Sequence, residues 1–185
     1  RKSDPQTIGP ARLVARLGSG GMGTVYLASI NNASVALKVV RGNFYDDPAL
    51  RTRFEREIST MQSLQSPFVA RVIDSSVDED EAWLAIEFVN GDNISQRVQT
   101  QGPLGDQEWW ATLCASLIAL EEIHGRGVLH RDVKPANILL SESGPKFVDF
   151  GIAQAGDDTS LTTTGLLAGS PAWLAPEQLE DHPPT

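Results

Sequence analysis

Cysteine, long apolar runs and positive charge are all scarce in this chain. Its one cysteine, Cys114, cannot close an internal disulfide, which fits a reducing, cytoplasmic setting. The neighbours Leu113, Ala115, Leu117 and Ile118 predict that Cys114 is a small core residue. No apolar stretch approaches the roughly 20 residues of a membrane-spanning helix; the longest, such as Trp83 to Phe88, are short and flanked by charge. Arg1-Lys2-Ser3-Asp4-Pro5 leads into no apolar run, so no signal peptide is read, and without an initiating methionine the chain reads as a piece of something longer. A membrane anchor elsewhere in the parent protein therefore stays open. Lys and Arg number 15 against 24 Asp and Glu, and the net charge of −9 argues against a nucleic-acid-binding surface. The hydrophobic fraction of 41% over 185 residues suffices for a sizeable core in one domain.

The pattern along the chain changes character once. Residues 11–17, 23–30 and 33–40 are apolar, β-branched or alternating, with Gly or Asn-Asn punctuation between them, and read as strands. A helix is predicted over 48–65, with Pro48 suited to its first turn and Leu50, Phe54, Ile58, Met61 and Leu64 at helical spacing. Strands fit 69–77 and 82–88 around the acidic turn Asp78-Glu79-Asp80-Glu81. From residue 93 the pattern is helical, with a long helix at 106–125 and short strand-like pieces at 137–140 and 146–149. A strand-rich half followed by a helix-rich half, changing near Val89-Asn90-Gly91, predicts an α+β protein of two lobes with a hinge. A cleft between such lobes is a common ligand site.

Gly18-Ser19-Gly20-Gly21-Met22-Gly23 has the spacing G-x-G-x-x-G, which alone is weak evidence. Three glycines at those positions arise by chance in about one chain in twenty of this size. Context narrows the reading. A dinucleotide-binding loop opens into a helix, whereas Thr24-Val25-Tyr26-Leu27-Ala28 is a strand pattern. A strand, a glycine turn and a second strand make a flap whose backbone N–H groups can lie over phosphates.

Lys38 sits in Val35-Ala36-Leu37-Lys38-Val39-Val40, a strand apolar on both faces, where a lysine is costly to bury without a partner. Glu57 falls within the apolar stripe of the helix, beside Phe54 and Met61. The two uncompensated charges predict an ion pair. The strongest signal is His130-Arg131-Asp132-Val133-Lys134-Pro135-Ala136-Asn137. Phosphoryl transfer needs a carboxylate for the acceptor hydroxyl, a cation against the moving charge and ligands for Mg²⁺. Asp132, Lys134 and Asn137 supply one of each, and Asp149-Phe150-Gly151 offers a second carboxylate.

From Leu13 to Glu177 these features stand in the order found in eukaryotic-type protein kinases, and the sequence resembles that family, with a bacterial style in Lys-Pro-Ala-Asn and Ala-Pro-Glu-Gln. The resemblance implies a two-lobed kinase fold: a small lobe over 1–88, a hinge at 89–91 and an incomplete large lobe over 92–185. It implies ATP and Mg²⁺ as cofactors, Asp132 and Lys134 as catalytic residues with Lys38 and Glu57, and Asn137 and Asp149 as metal ligands. Leu17, Gly18, Ser19, Gly20, Gly21, Met22 and Gly23 would cover the nucleotide. Val25, Ala36 and Leu139 would sandwich adenine, with Ile86 behind it and Glu87 to Val89 meeting it by backbone. Lys134, two residues after Asp132, marks the serine/threonine type, so the expected partners are proteins carrying Ser or Thr acceptors. His130 is expected to be a core residue bonded to backbone beside Phe150 rather than a base.

The segment between Asp149 and Glu177 looks like an activation loop. Thr162 and Thr164 are the expected autophosphorylation sites, whose phosphates Arg131 could pair, and a homodimer for that reaction is a further expectation. Ser170 stands where the family usually has Thr. A family member would continue in helices well beyond Glu177, so the resemblance covers a trimmed or incomplete domain. Two rival readings are open to the same motifs. A pseudokinase would usually lack the equivalent of Lys38, Asp132 or Asp149, and all three are present; a dinucleotide-binding enzyme would need a helix after the glycines.

Overall fold

A computed structural model describes residues 4–20, 23–40, 48–77, 82–130, 132–149 and 171–173. The chain forms two compact units, Arg1–Asn90 and Gly91–Thr185. The first is built on a six-stranded antiparallel sheet in the order β1-β2-β3-β4-β6-β5, from β1 (Thr7–Ile8), β2 (Ala11–Gly20), β3 (Gly23–Ile30), β4 (Ala33–Val40), β5 (Val72–Val77) and β6 (Ala82–Glu87). Alternation sorts its side chains. Tyr26, Leu37 and Ala85 stand opposite one another and join Ile8, Ala11, Ala28, Ile30, Val35 and Trp83 in the main hydrophobic cluster. Val25, Lys38 and Leu84 form the neighbouring row, as do Leu27, Ala36 and Ile86, so both rows occupy the other face. Asn31 and Asn32, with φ of 49° and 65°, make the two-residue turn between β3 and β4.

Helix α1 (Pro48–Gln62) packs against β5 and buries Phe54, Ile58 and Met61, with Leu64 just beyond its end. Burying a side chain such as Phe54 stabilises the unit by about 1.5–3 kcal/mol. The helix is shorter than the spacing predicted. Tighter turns end it, with the Ser63 and Leu64 N–H groups on Thr60 O and Met61 O at 3.1 Å and Ser63 Oγ donating to Thr60 O at 2.6 Å. The strand predicted from residue 69 begins only at Val72, because Ser66 to Phe68 turn, the Phe68 N–H meeting Ser66 Oγ at 3.3 Å.

The second unit holds a three-stranded sheet, β7 (Gly91–Asn93), β8 (Ile138–Ser141) and β9 (Gly144–Phe147), with α2 (Ile94–Gln101) and α3 (Asp106–Gly125). Pairing with β8 makes Gly91–Asn93 a strand, and a Cβ on Gly91 would strike the Leu140 carbonyl. Asn93 and Gln96 form a capping box that starts α2, and Arg97 links α2 to α3 through Glu108 at 2.9 Å. Helix α3 packs on β9 and buries Thr112, Ala115, Ala119 and Ile123. Cys114 is exposed, which corrects the core placement expected for it. The inward face of α3 is the small-residue one, while Trp110, Leu117 and Ile118 point outward with Cys114.

Candidate active site

Between α3 and β8 the chain builds a tight polar knot. A short 3-10 turn, Pro135–Asn137, is closed by the Asn137 N–H on Lys134 O at 2.9 Å. The Val148 N–H bonds Asn137 O at 2.9 Å and pins the turn to the chain leaving β9. Asn137 is buried, and its Nδ2 donates at 2.8 Å both to Asp132 O and to Asp132 Oδ2. Lys134 Nζ meets the same Oδ2 at 2.8 Å. One carboxylate oxygen is thus doubly held. Among the described residues Asp132 Oδ1 takes no hydrogen bond.

His130 lies beneath this knot, packed edge-on against Phe147 at 5.2 Å between ring centroids and almost wholly shielded from water. Burial pushes its pKa down to about 4, with Asp132, Asp149 and the backbone at Val148 pulling the other way. Both carboxylates therefore act on one ring, which remains neutral and accepts the Asp132 N–H on Nδ1 at 3.4 Å. A neutral, buried imidazole thus packs beneath the loop and bonds its backbone. Asp149 holds φ of 57°, a left-handed conformation that costs a non-glycine residue on the order of 1 kcal/mol and is characteristic of functional sites.

The donor set suits a magnesium ion. Asn137 turns its amide nitrogen to Asp132, which leaves its oxygen outside those bonds, and Asp149 carries a carboxylate. Among the described residues no cluster of three His, Cys, Asp or Glu forms a site of its own. Mg²⁺ characteristically takes few protein oxygens and fills its shell with phosphate and water.

In the first unit, the glycines at the end of β2 differ in kind. Among the described residues no heavy atom lies within 4 Å of a Cβ added to Gly18 or Gly20, whereas a Cβ on Gly23 would collide with the Val39 carbonyl. Leu17 is exposed, Val25, Ala36, Lys38, Ile86 and Glu87 are half-buried on the sheet, and Val89 is buried just past β6. Glu57 is half-buried on α1. Ser19 is exposed, and Leu139, in β8, pairs with Asn93 and Lys146. Gly21, Met22, Arg131, Phe150, Gly151, Thr162, Thr164, Ser170 and Ala175 to Glu177 lie outside the described residues. Sequence reasoning passed over one polar cluster here. Arg16 on β2 pairs with Asp4, and its guanidinium lies 5.8 Å from the Tyr26 ring centroid. The guanidinium holds the Asp4 carboxyl below the usual carboxylate range. Only the charge pattern Asp-x₁₁-Arg hints at it, and that pattern is common.

The strand order, the polar knot and the open glycines have a common counterpart among known proteins. The model of the protein kinase domain matches residues 12–185, and the chain belongs to the protein kinase family. Within it, the chain is similar to bacterial serine/threonine kinases. It is 41% identical over 181 residues to serine/threonine-protein kinase AfsK of Streptomyces coelicolor, a match covering 96% of this chain and 22% of that protein. With serine/threonine-protein kinase PknE of Mycobacterium tuberculosis it shares 37% identity over 177 residues, covering 94% and 31%. The chain thus spans about a fifth to a third of the length of these curated relatives. Among solved structures, the Mycobacterium tuberculosis PknI kinase domain matches with a TM-score of 0.69 at 34% identity, over 79% of this chain and 61% of that one. A double mutant of the same domain gives 0.74 at 30% identity, over 94% and 67%.

Proposed function

We propose that this chain transfers the γ-phosphate of ATP to serine or threonine hydroxyls of protein substrates. The observation that carries the reading is the Asp132 carboxylate, with Oδ2 fixed by Lys134 and Asn137 and Oδ1 left open. Oδ1 orients the acceptor hydroxyl and takes its proton as the new O–P bond forms and the bond to ADP breaks. Lys134, held on Asp132 Oδ2 at 2.8 Å, would offset charge on the transferring group. Asn137 and Asp149 would hold Mg²⁺, which neutralises charge on the phosphate oxygens when bound. Gly18 to Gly23 would close over the phosphates by backbone N–H groups, and Val25, Ala36, Ile86, Glu87, Val89 and Leu139 would receive adenine.

Lys38 would steady the phosphates while paired with Glu57; the support is a half-buried lysine on an apolar sheet face and a half-buried carboxylate between Phe54 and Met61 on α1. Thr162 and Thr164 are proposed as autophosphorylation sites, reached in a second copy of the chain, and the setting is taken as cytoplasmic. The test is transfer from labelled ATP to a generic basic protein with Mg²⁺ present, beside nucleotide binding by calorimetry. Transfer that survives in wild type and falls at least about 100-fold in Asp132→Asn, with ATP binding little changed, supports the assignment. A wild-type chain that binds Mg-ATP and never transfers phosphate is instead a nucleotide-binding module.

A further inference from the structure

Strand β2 carries two register jumps, between Leu13 and Ala15 and between Arg16 and Gly18. The residues skipped, Val14 and Leu17, are 58% and 50% exposed, as bulged residues often are. Only Ala15 and Arg16 keep register between the two bulges, opposite Leu27 and Tyr26. Bulges bend and twist a strand, so the direction in which β2 leaves this two-residue island decides where its glycine end points. Past the second bulge, Gly18, Ser19 and Gly20 pair with Val25, Thr24 and Gly23, and among the described residues no atom lies within 4 Å of where a Cβ on Gly18 or Gly20 would stand, so no side-chain packing there corrects that direction.

Arg16 is the island's one charged side chain, and it reaches a different element. Its guanidinium bonds Asp4 Oδ1, which also accepts the Tyr26 hydroxyl at 3.3 Å. The Arg16 and Asp4 side chains are 26% and 15% exposed, so the pair is partly shielded from water and from salt. The segment bearing Asp4 is itself fixed to β2 by the Leu13 N–H on Gln6 O at 2.9 Å and by the β1 pairing. Asp4, Arg16 and Tyr26 thus brace β2 at its last in-register position before the glycines.

We propose that Arg16, braced by Asp4 and Tyr26, is a positioning residue that sets the tilt of the Gly18–Gly20 hairpin and so the affinity for nucleotide phosphates. The inference rests on the reading that this hairpin covers phosphates. It differs from simple anchoring of the N-terminal segment in one measurable respect. A tilt of the hairpin alters contacts to phosphate and leaves adenine contacts alone, whereas loss of an anchor lowers stability without regard to the ligand.

The experiment measures Kd by calorimetry for Mg-ATP, Mg-ADP and adenosine, with melting temperature alongside, in wild type, Asp4→Asn, Arg16→Ala, Arg16→Lys and the double variant Asp4→Asn/Arg16→Ala. Expected is a loss of about three- to tenfold for ATP and ADP in the single variants, with adenosine within about twofold of wild type. Arg16→Lys should recover part of the loss, because it keeps the charge without the planar fork. The double variant should be no worse than Arg16→Ala, since both changes break the same contact. Asp4→Asn, nearly isosteric, keeps the test alive should Arg16→Ala fail to fold. Equal losses for ATP and adenosine, or a fall in melting temperature with all three affinities unchanged, overturn the proposal. A wild-type chain that binds adenosine and ATP equally well defeats the phosphate reading of the hairpin, and one that binds none of them defeats the proposed function.

Discussion

At the end of β2, Gly18 and Gly20 have, among the described residues, nothing within 4 Å of where a side chain would begin, while between His130 and Asn137 polar groups are bonded to one another at 2.8–3.4 Å. The first region is shaped by missing atoms and the second by atoms held in place. A surface left bare can follow a flexible, highly charged ligand. A carboxylate that must meet a hydroxyl at one distance gains from being fixed beforehand, because reorganisation is then avoided at the moment of reaction. The contrast teaches where each region is vulnerable: the hairpin to added bulk, the knot to lost partners.

The largest effect should come from the knot. Asp149→Asn is expected to leave the fold intact and lower phosphate transfer at least about 100-fold, read by labelled-ATP assay beside circular dichroism. Undiminished turnover would remove Asp149 from metal binding. Next comes a glycine that belongs to the packed side of the comparison. Gly23→Ala should destabilise by about 2–4 kcal/mol in urea unfolding, since the Val39 carbonyl occupies the space and φ is 147°. Gly18→Ala and Gly20→Ala should unfold at nearly the wild-type urea concentration and weaken ATP by roughly tenfold or less. If all three glycines behave alike, the distinction between bare and packed positions fails.

His130 sharpens the comparison through pH. Its folded pKa of about 4 lies below the ordinary 6.5, so the unfolded chain binds the extra proton between those values. The stability contributed is complete above pH 6.5 and drains away as pH falls towards 4, by about 3 kcal/mol in all. Protonation would also turn the Nδ1 acceptor into a donor facing the Asp132 N–H. Urea midpoints from pH 7 to 4.5 should show this slope, and His130→Gln should flatten it. The smallest change is Thr24→Val. The Thr24 hydroxyl is buried with no partner among the described residues, so its replacement should raise stability by up to about 1 kcal/mol. A loss of that size instead would mean that the hydroxyl is bonded.

Much of this was legible in the sequence where one periodicity ruled. β3, β4 and α3 match their patterned stretches end to end, because alternation or helical spacing was unbroken and Gly or Asn marked the turns. Strand β7 was not legible. Gly91-Asp92-Asn93 has the composition of a loop and becomes a strand only because β8 lies beside it. Cys114 was misplaced because α3 is apolar on several sides, so the pattern could not say which side faces inward. His130 to Asn137 stood out in the sequence as a motif, but the unequal bonding of the two oxygens of Asp132 depends on where Lys134 and Asn137 point. The Arg16–Asp4 brace was not legible, since its partners are 12 residues apart with a turn between them.

The exposed thiol on α3 has a practical consequence. Because Cys114 is the chain's one cysteine and is open to reagents, maleimide chemistry would attach a single dye or spin label without prior mutagenesis. The label would ride on the helix that carries Thr112 and Ala115 against β9. The same exposure allows two chains to be joined by an air-oxidised disulfide on storage, so a covalent dimer on a non-reducing gel would report handling rather than biology.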